Sequence, residues 1–494
     1  MSYAHVAVAW RTGETDIRPR REKQSVFSRQ PGSRNSGLSF STCRLRQGVE
    51  KRAVITGDPF LRKALAETVV DFLGFSGTAS DQANQLNGFS ERAWTQALPW
   101  LHDAGLSLYL LQQLKDVHRT DVLPTSILLR LEENLAANRR RVAYMAAQFD
   151  FLNHKLNCAG VRYAVVKGLS LVPAFCPDAS LRHQSDFDYL VDDQSLPLAQ
   201  TVLEDAGYSL QKRKTNELVF LMPSAGMPPS PADGQYEPDS PYAVELRRAF
   251  WDRDIHGVSL EEPEFSVDDV RTRQWQGLTF RALPEEDMLL IQVIHAFNLI
   301  LTGWVRMSWL YEIAYFLDRR STDRSLWERI ERRLGGDPLL REMFVVIAGL
   351  SGHFFRAPIP PMFRTWPDEL RPSVRIWIQH YAWTWAFAKN RVDQFSLFSA
   401  SPVVLFLHQQ YLSEGDARRH LLRSRLLPWE QLVRRARSIK ANSSAHAGSR
   451  GRQFERVLIR LTFHLTGGLR YLWEVPRWRK LNKPAAALGT LNQA

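Results

Sequence analysis

The chain changes character at the run Leu181-Arg-His-Gln-Ser-Asp186-Phe-Asp188-Tyr-Leu-Val191. Just upstream stands Val161-Arg-Tyr-Ala-Val-Val166, followed by Lys167-Gly168-Leu-Ser170. The first apolar run is short, rich in β-branched residues and bounded by Gly160 and Gly168, which predicts a strand. Asp186–Val191 is a second predicted strand, and Leu196–Asp205, ending near Gly207, is a predicted helix. Leu218–Met222 and Tyr242–Arg247 complete the strand candidates. Strand, helix and strands in this order predict an α+β fold around one small mixed sheet.

Outward from this core, both flanks read as helical. Residues 56–157 carry apolar residues at three- and four-residue steps through Ala93–Lys115. From Ile127 to Leu156 there is neither Gly nor Pro, and Leu131, Leu135, Val142, Met145, Phe149 and Leu152 fall on one face. A core domain over 158–282 contains a Pro-rich loop, 223–241, whose prolines exclude regular structure. Pro284 followed by Glu285, Glu286 and Asp287 predicts the start of a second helical domain, 283–415. The Gly335–Pro338 and Ala357–Pro372 segments interrupt it.

The two ends differ from the middle. Residues 1–52 hold 11 Lys/Arg against 4 Asp/Glu, and residues 418–494 hold 17 against 3. The net charge of +12 therefore leaves the middle acidic, which argues against a nucleic-acid clamp built into the fold. Segment 1–55, poor in apolar residues, reads as a disordered basic segment. Segment 416–494 reads as a basic tail with two amphipathic pieces, Gln453–Leu465 and Leu469–Trp478, after a linker at Ala441–Gly451. Packing onto the helical domain, an anionic membrane surface and nucleic acid all suit such a tail. Hydrophobic residues at 44% and charged residues at 23% exclude a collagen-like or mostly disordered chain. Three scattered cysteines (43, 158, 176) exclude a disulfide scaffold and fit reduced thiols in a cytoplasm. No signal peptide is evident at the N-terminus, and Leu289–Leu310, interrupted by Gln292, His295, Asn298 and Arg306, reads as a buried helix.

The chemistry lies in the acids. Asp186 and Asp188 stand two apart on a predicted strand and so share a face. Two adjacent carboxylates repel unless a cation sits between them, and Mg²⁺ takes oxygen ligands of this kind. Glu245, inside an apolar strand where a lone carboxylate is costly, is the third candidate ligand. Gly168 permits close approach of a phosphate to the turn, and a helix after it would offer free N–H groups. Ser170 could donate to a phosphate oxygen, and Lys167 and Arg182 could offset its charge. His295, on an apolar helix, reads as a hydrogen-bonded core histidine.

Val166-Lys-Gly-Leu-Ser170, Leu181-Arg182, Ser185-Asp-Phe-Asp-Tyr-Leu-Val191 and Leu203-Glu-Asp-Ala-Gly-Tyr208 together resemble the uncharacterised nucleotidyltransferase family of bacteria. That family is placed in the DNA polymerase beta-like nucleotidyltransferase superfamily. The resemblance extends from the helix near Leu123–Leu156 to the Trp309–Leu317 segment. It implies Mg²⁺-dependent transfer of a nucleoside monophosphate from an NTP to a hydroxyl-bearing acceptor. It further implies that Asp186, Asp188 and Glu245 are metal ligands and that Gly168 and Ser170 hold the triphosphate. Two positions depart from the family: Arg247 stands where a His is usual, and Glu312 where an Asp is expected. Two other readings stay open, an inactive nucleotide- or partner-binding module of the same fold and an Asp-x-Asp glycosyltransferase.

Overall fold

The computed structural model describes residues 59–77, 79–222, 236, 241–304, 306–387, 401–427 and 447–489. The segment 1–55, nearly all of the Pro-rich loop 223–241 and residues 428–446 and 490–494 of the tail lie outside the described residues.

One mixed sheet forms the centre. Its strands are β1 (Tyr163–Val166), β2 (Asp186–Val191), β3 (Ser209–Arg213), β4 (Glu217–Leu221), β5 (Ala243–Arg247), β6 (Arg271–Trp275) and β7 (Leu278–Ala282), in the order β3-β4-β5-β2-β1-β7-β6. β2 runs parallel to β5 and β1 parallel to β7, while the other neighbours are antiparallel. The alternation of β2 separates two environments. Phe187 and Tyr189 face a helix, α5 (Thr125–Cys158), whose Phe149 ring lies 5.7 and 6.4 Å from theirs. Phe149 also meets Phe280 of β7 at 5.2 Å, so one helix packs on both β2 and β7 on this face. Asp186 and Asp188 are thereby turned to the opposite face.

The α5 stripe from Leu131 to Leu152 is buried as its spacing predicts. Before α5 come α1 (Pro59–Phe72), α2 (Ala79–Leu86), α3 (Glu91–Asp103) and α4 (Ser107–Asp116). After β2 comes α6 (Leu196–Asp205). The second helical region contains α7 (Glu285–Thr302), α8 (Met307–Arg320), α9 (Arg324–Leu334), α10 (Pro338–Phe355), α11 (Pro372–Ala386), α12 (Pro402–His408) and α13 (Gly415–Leu426), followed by α14 (Ala447–Gly489). Glu285, Glu286 and Asp287 do more than face the α7 dipole. They pair with Arg320, Arg329 and Arg333 at 2.8, 2.9 and 2.6 Å and so tie α7 to α8 and α9. The N-terminal helices pack on the second region through the Phe75 N–H on the Phe355 carbonyl (2.8 Å) and the Phe75–Tyr311 stack. Buried apolar side chains from Leu65 to Leu421 form one contiguous core. α10 is long and apolar enough to cross a membrane by length and composition, and 61% of it is buried in the protein.

Three strands went unpredicted. β3 and β6 are the edges of the sheet, polar along most of their length, and so lack apolar alternation. β6 and β7 are joined by a two-residue turn in which Gln276 and Gly277 both have positive φ, the geometry that matches strand twist in a hairpin. The helical periodicity of Ala93–Lys115 belongs to two helices, α3 and α4, separated at Gly105, whose φ is +71°. The two predicted tail pieces are one helix, α14, running through Gly467-Gly468, and residues 447–451 of the predicted linker are its first turn.

Candidate functional site

The register of β2 and β5 sets Asp188 directly beside Glu245. Asp186 lies two residues away on the same face. Carboxylate oxygens of Asp186, Asp188 and Glu245 all lie within 4.8 Å of one another. Asp188 and Glu245 are buried, while Asp186 keeps partial exposure. The fourth acid of this face is Glu217 of β4, paired across the sheet with Arg247 and buried.

Resident cations hold this cluster. Lys167 Nζ contacts Asp188 Oδ1 at 2.6 Å, and Arg247 Nε donates to the same oxygen at 2.9 Å. The Arg247 guanidinium also contacts Glu245 and reaches Glu217 Oε1 at 2.5 Å. Lys214 pairs with Glu217 from its other side. Lys167 owes its reach to a turn in which its own φ is +61° and that of Gly168 is +55°. A Cβ on Gly168 would come within 2.4 Å of Gln184 Nε2, so only glycine fits there without displacement.

The predicted α-helix after this turn is absent. Gly168–Leu171 is a single 3-10 turn, followed by Pro173, so this turn does not lead into an α-helix. Ser170 is fully buried, and its hydroxyl donates to the Lys167 carbonyl at 2.8 Å, bracing the turn. Arg182 stands one layer behind the acids. Its Nε donates to Glu312 Oε1 at 2.9 Å and a terminal N–H to Gln184 Oε1 at 3.1 Å. Gln184 in turn donates to the Asp186 carbonyl at 2.6 Å, and Arg141 Nε to the Gln184 carbonyl at 2.8 Å. Tyr109 completes the layer by donating to Glu312 Oε1 at 3.1 Å.

Burial pushes the Asp186 carboxyl up to about 7, helped by the negative charge of Asp188 and Glu245 and opposed by Lys167 and Arg182. Burial also raises Asp188, whereas Lys167 and Arg247 pull it back toward the ionised form. No side chain among the described residues hydrogen-bonds or ion-pairs with the Asp186 carboxylate. An all-oxygen set of three carboxylates is the donor chemistry of a hard divalent cation. The residues fit such an ion on one condition, that Arg247 leaves Asp188 and Glu245.

Beside Arg247 opens a small cleft lined by Glu217, Trp251, His295 and Asn298 among others. Reading His295 as a plain core residue missed its place here. Its ring packs edge-on to Trp309 at 5.2 Å, and burial, with Lys167 and Arg247 nearby, holds its pKa well below the imidazole range. Arg247 was legible as a departure but not as a partner of the acids. Its two-residue spacing from Glu245 on a strand was the signal. Glu217 carried a weaker signal, a carboxylate at the head of an apolar strand.

A parallel β2–β5 pair thus carries three convergent acids beside a glycine turn, the arrangement that the resemblance to nucleotidyltransferases led one to expect. The sequence model of the family described as uncharacterised nucleotidyltransferase matches residues 90–352, more than half of the chain, and the chain belongs to that family. Among solved structures, it is similar to an antigenic nucleotidyltransferase-like protein from Paracoccidioides brasiliensis. The identity is 13% with a TM-score of 0.23, over 40% of this chain and 89% of that one. A search of curated proteins finds no match.

Proposed function

We propose that the protein is a cytoplasmic nucleotidyltransferase that moves a nucleoside monophosphate from an NTP to a hydroxyl-bearing acceptor. The observation that supports this reading is the convergence of Asp186, Asp188 and Glu245 on one face of the sheet. These three carboxylates would hold Mg²⁺, which when bound supplies charge neutralisation for the triphosphate and the leaving pyrophosphate. Lys167, released from part of its pairing with Asp188, then offsets charge on the phosphate oxygens. Arg182, fixed by Glu312 and Gln184, adds positive potential from behind. The turn at Gly168 brings backbone close to the phosphates, with Ser170 keeping that turn in shape. In the reaction an acceptor oxygen bonds to the α-phosphorus, the bond to the β-phosphate bridge breaks, and the hydroxyl proton passes to a carboxylate of the cluster. Positioning and electrostatics supply most of the rate in such transfers.

The seat of Arg247 on two of the three acids favours a second reading, an inactive binding module whose own cations replace the metal. One experiment separates the two. The pure protein is incubated with each α-labelled NTP, Mg²⁺ and cell extract, beside the Asp188→Asn variant. Label that enters an acceptor with wild type and not with the variant supports the transferase. Nucleotide binding without transfer for every NTP supports the module.

A further inference from the structure

Among the described residues, helix α14 is fixed to the body by one side. Trp478 stacks on Phe406 at 5.1 Å and meets Tyr381 at 5.7 Å, and Tyr471 packs on Phe406 at 5.4 Å. Gln409 donates to the Tyr471 hydroxyl at 3.1 Å, and the His464 ring bonds the Arg425 carbonyl at 2.9 Å. These contacts fix how the helix is rotated. They leave Leu458, Leu461, Leu465, Leu469, Leu472 and Trp473 exposed, with Leu469, Leu472 and Trp473 at 68, 69 and 82%. Steps of three and four place this stripe along one side of the helix. Soluble proteins seldom leave so continuous an apolar stripe in water unless it binds something.

Charge states what it binds. Between Leu458 and Lys483 the helix carries six Lys/Arg and one Glu, with Arg479, Lys480 and Lys483 grouped where the leucines end. We propose that this face of α14 docks on an anionic lipid bilayer, lying in the plane of the interface. The leucines and Trp473 enter the boundary between headgroups and acyl chains, and the basic side chains reach lipid phosphates along their apolar stems. A second copy of the chain is a poor occupant, because it would bring the same positive charge to the same stripe. Single-stranded nucleic acid needs aromatic platforms for its bases, and among the described residues Trp473 is the one exposed aromatic on a stripe of leucines. The proposal is independent of the nucleotide site.

The test is sedimentation of the full-length protein with vesicles of phosphatidylcholine alone and of phosphatidylcholine mixed with phosphatidylglycerol. Wild type is expected to sediment with the anionic vesicles, less so as salt rises. The Leu469→Asp/Leu472→Asp variant is expected to bind at least about tenfold more weakly, as is Arg479→Glu/Lys480→Glu. All four positions lie on the side of α14 away from its packing contacts, and unchanged circular-dichroism melting checks that the variants fold. As an independent readout, the emission difference between wild type and Trp473→Phe shifts to shorter wavelength on adding anionic vesicles. Wild type that stays in the supernatant overturns the proposal, as does a double aspartate variant that sediments like wild type. Single-stranded RNA binding or dimerisation through the same leucines, without vesicle binding, overturns it equally.

Discussion

Arg247 Nε donates to Asp188 Oδ1 at 2.9 Å, on the oxygen that Lys167 Nζ already holds at 2.6 Å. The acidic cluster proposed to accept a divalent ion is thus occupied in advance by two cations of the chain itself. Taking Asp188 and Glu245 out of water is costly unless something positive stays with them, and Arg247 serves that need. An entering metal therefore displaces an existing partner, and Glu217, 2.5 Å from the same guanidinium, offers Arg247 a place to remain.

Removing Arg247 should strengthen metal binding and weaken the metal-free fold. Arg247→Met is expected to bind Mn²⁺ about tenfold more tightly, about 1.4 kcal/mol. Its metal-free melting point should fall by a few degrees, and saturating Mn²⁺ should restore it. Calorimetric titration and melting curves with and without Mn²⁺ measure both. Unchanged Mn²⁺ affinity would show that Arg247 does not compete for the acids.

Asp186 should make the metal-free protein pH-sensitive. Its folded-state pKa is about 7 against an ordinary value of 3.8, so the folded state holds a proton that the unfolded state has lost within that window. Its contribution to stability is intact below the lower value. It declines as pH rises through the window, and the deficit persists above 7. Asp186→Asn removes the deficit. Without metal, the variant should be more stable than wild type at pH 8, by about 1–3 kcal/mol, and little changed at pH 4. Urea unfolding at the two pH values tests this, and an equal effect at both would contradict it.

The sequence disclosed the architecture wherever apolar periodicity was strong. β2, β5, α5 and α6 stand within two residues of their expected ends, because burial on a packed face fixes both period and length. Edge strands β3 and β6 escaped because one side of each faces water and their side chains need no alternation. The acids were readable one at a time, but the layer that fixes their charge was not. Glu312 lies 130 positions from Arg182, and nothing local links Tyr109 to either. Lys167 and Gly168 were legible as a turn, yet the helix expected after them fails because Pro173 follows one 3-10 turn.

That hidden layer should be stability-critical. Glu312→Gln removes the charge that pairs with buried Arg182 and should cost about 2–4 kcal/mol. Tyr109→Phe removes one hydrogen bond to the same carboxylate and should cost about 1 kcal/mol. Chemical denaturation of both variants tests the order. Equal costs would show that the Arg182–Glu312 pair adds nothing beyond the tyrosine bond.

Gly168→Ala should damage the site through geometry. The added Cβ meets Gln184 Nε2 at 2.4 Å, and φ at +55° disfavours any side chain. The expected cost is about 1–3 kcal/mol. Because Gln184 holds the Asp186 backbone, Mn²⁺ affinity should fall as well. Retained stability and affinity would mean that Gln184 moves aside freely.

Calorimetric Mn²⁺ titration of wild type beside Asp188→Asn and Glu245→Gln tests the central claim most directly, because it asks whether the three acids act together. The account predicts binding by wild type and its loss, by at least about a hundredfold, in both variants. Equal binding by all three proteins, or none by wild type and none by Arg247→Met, would contradict it.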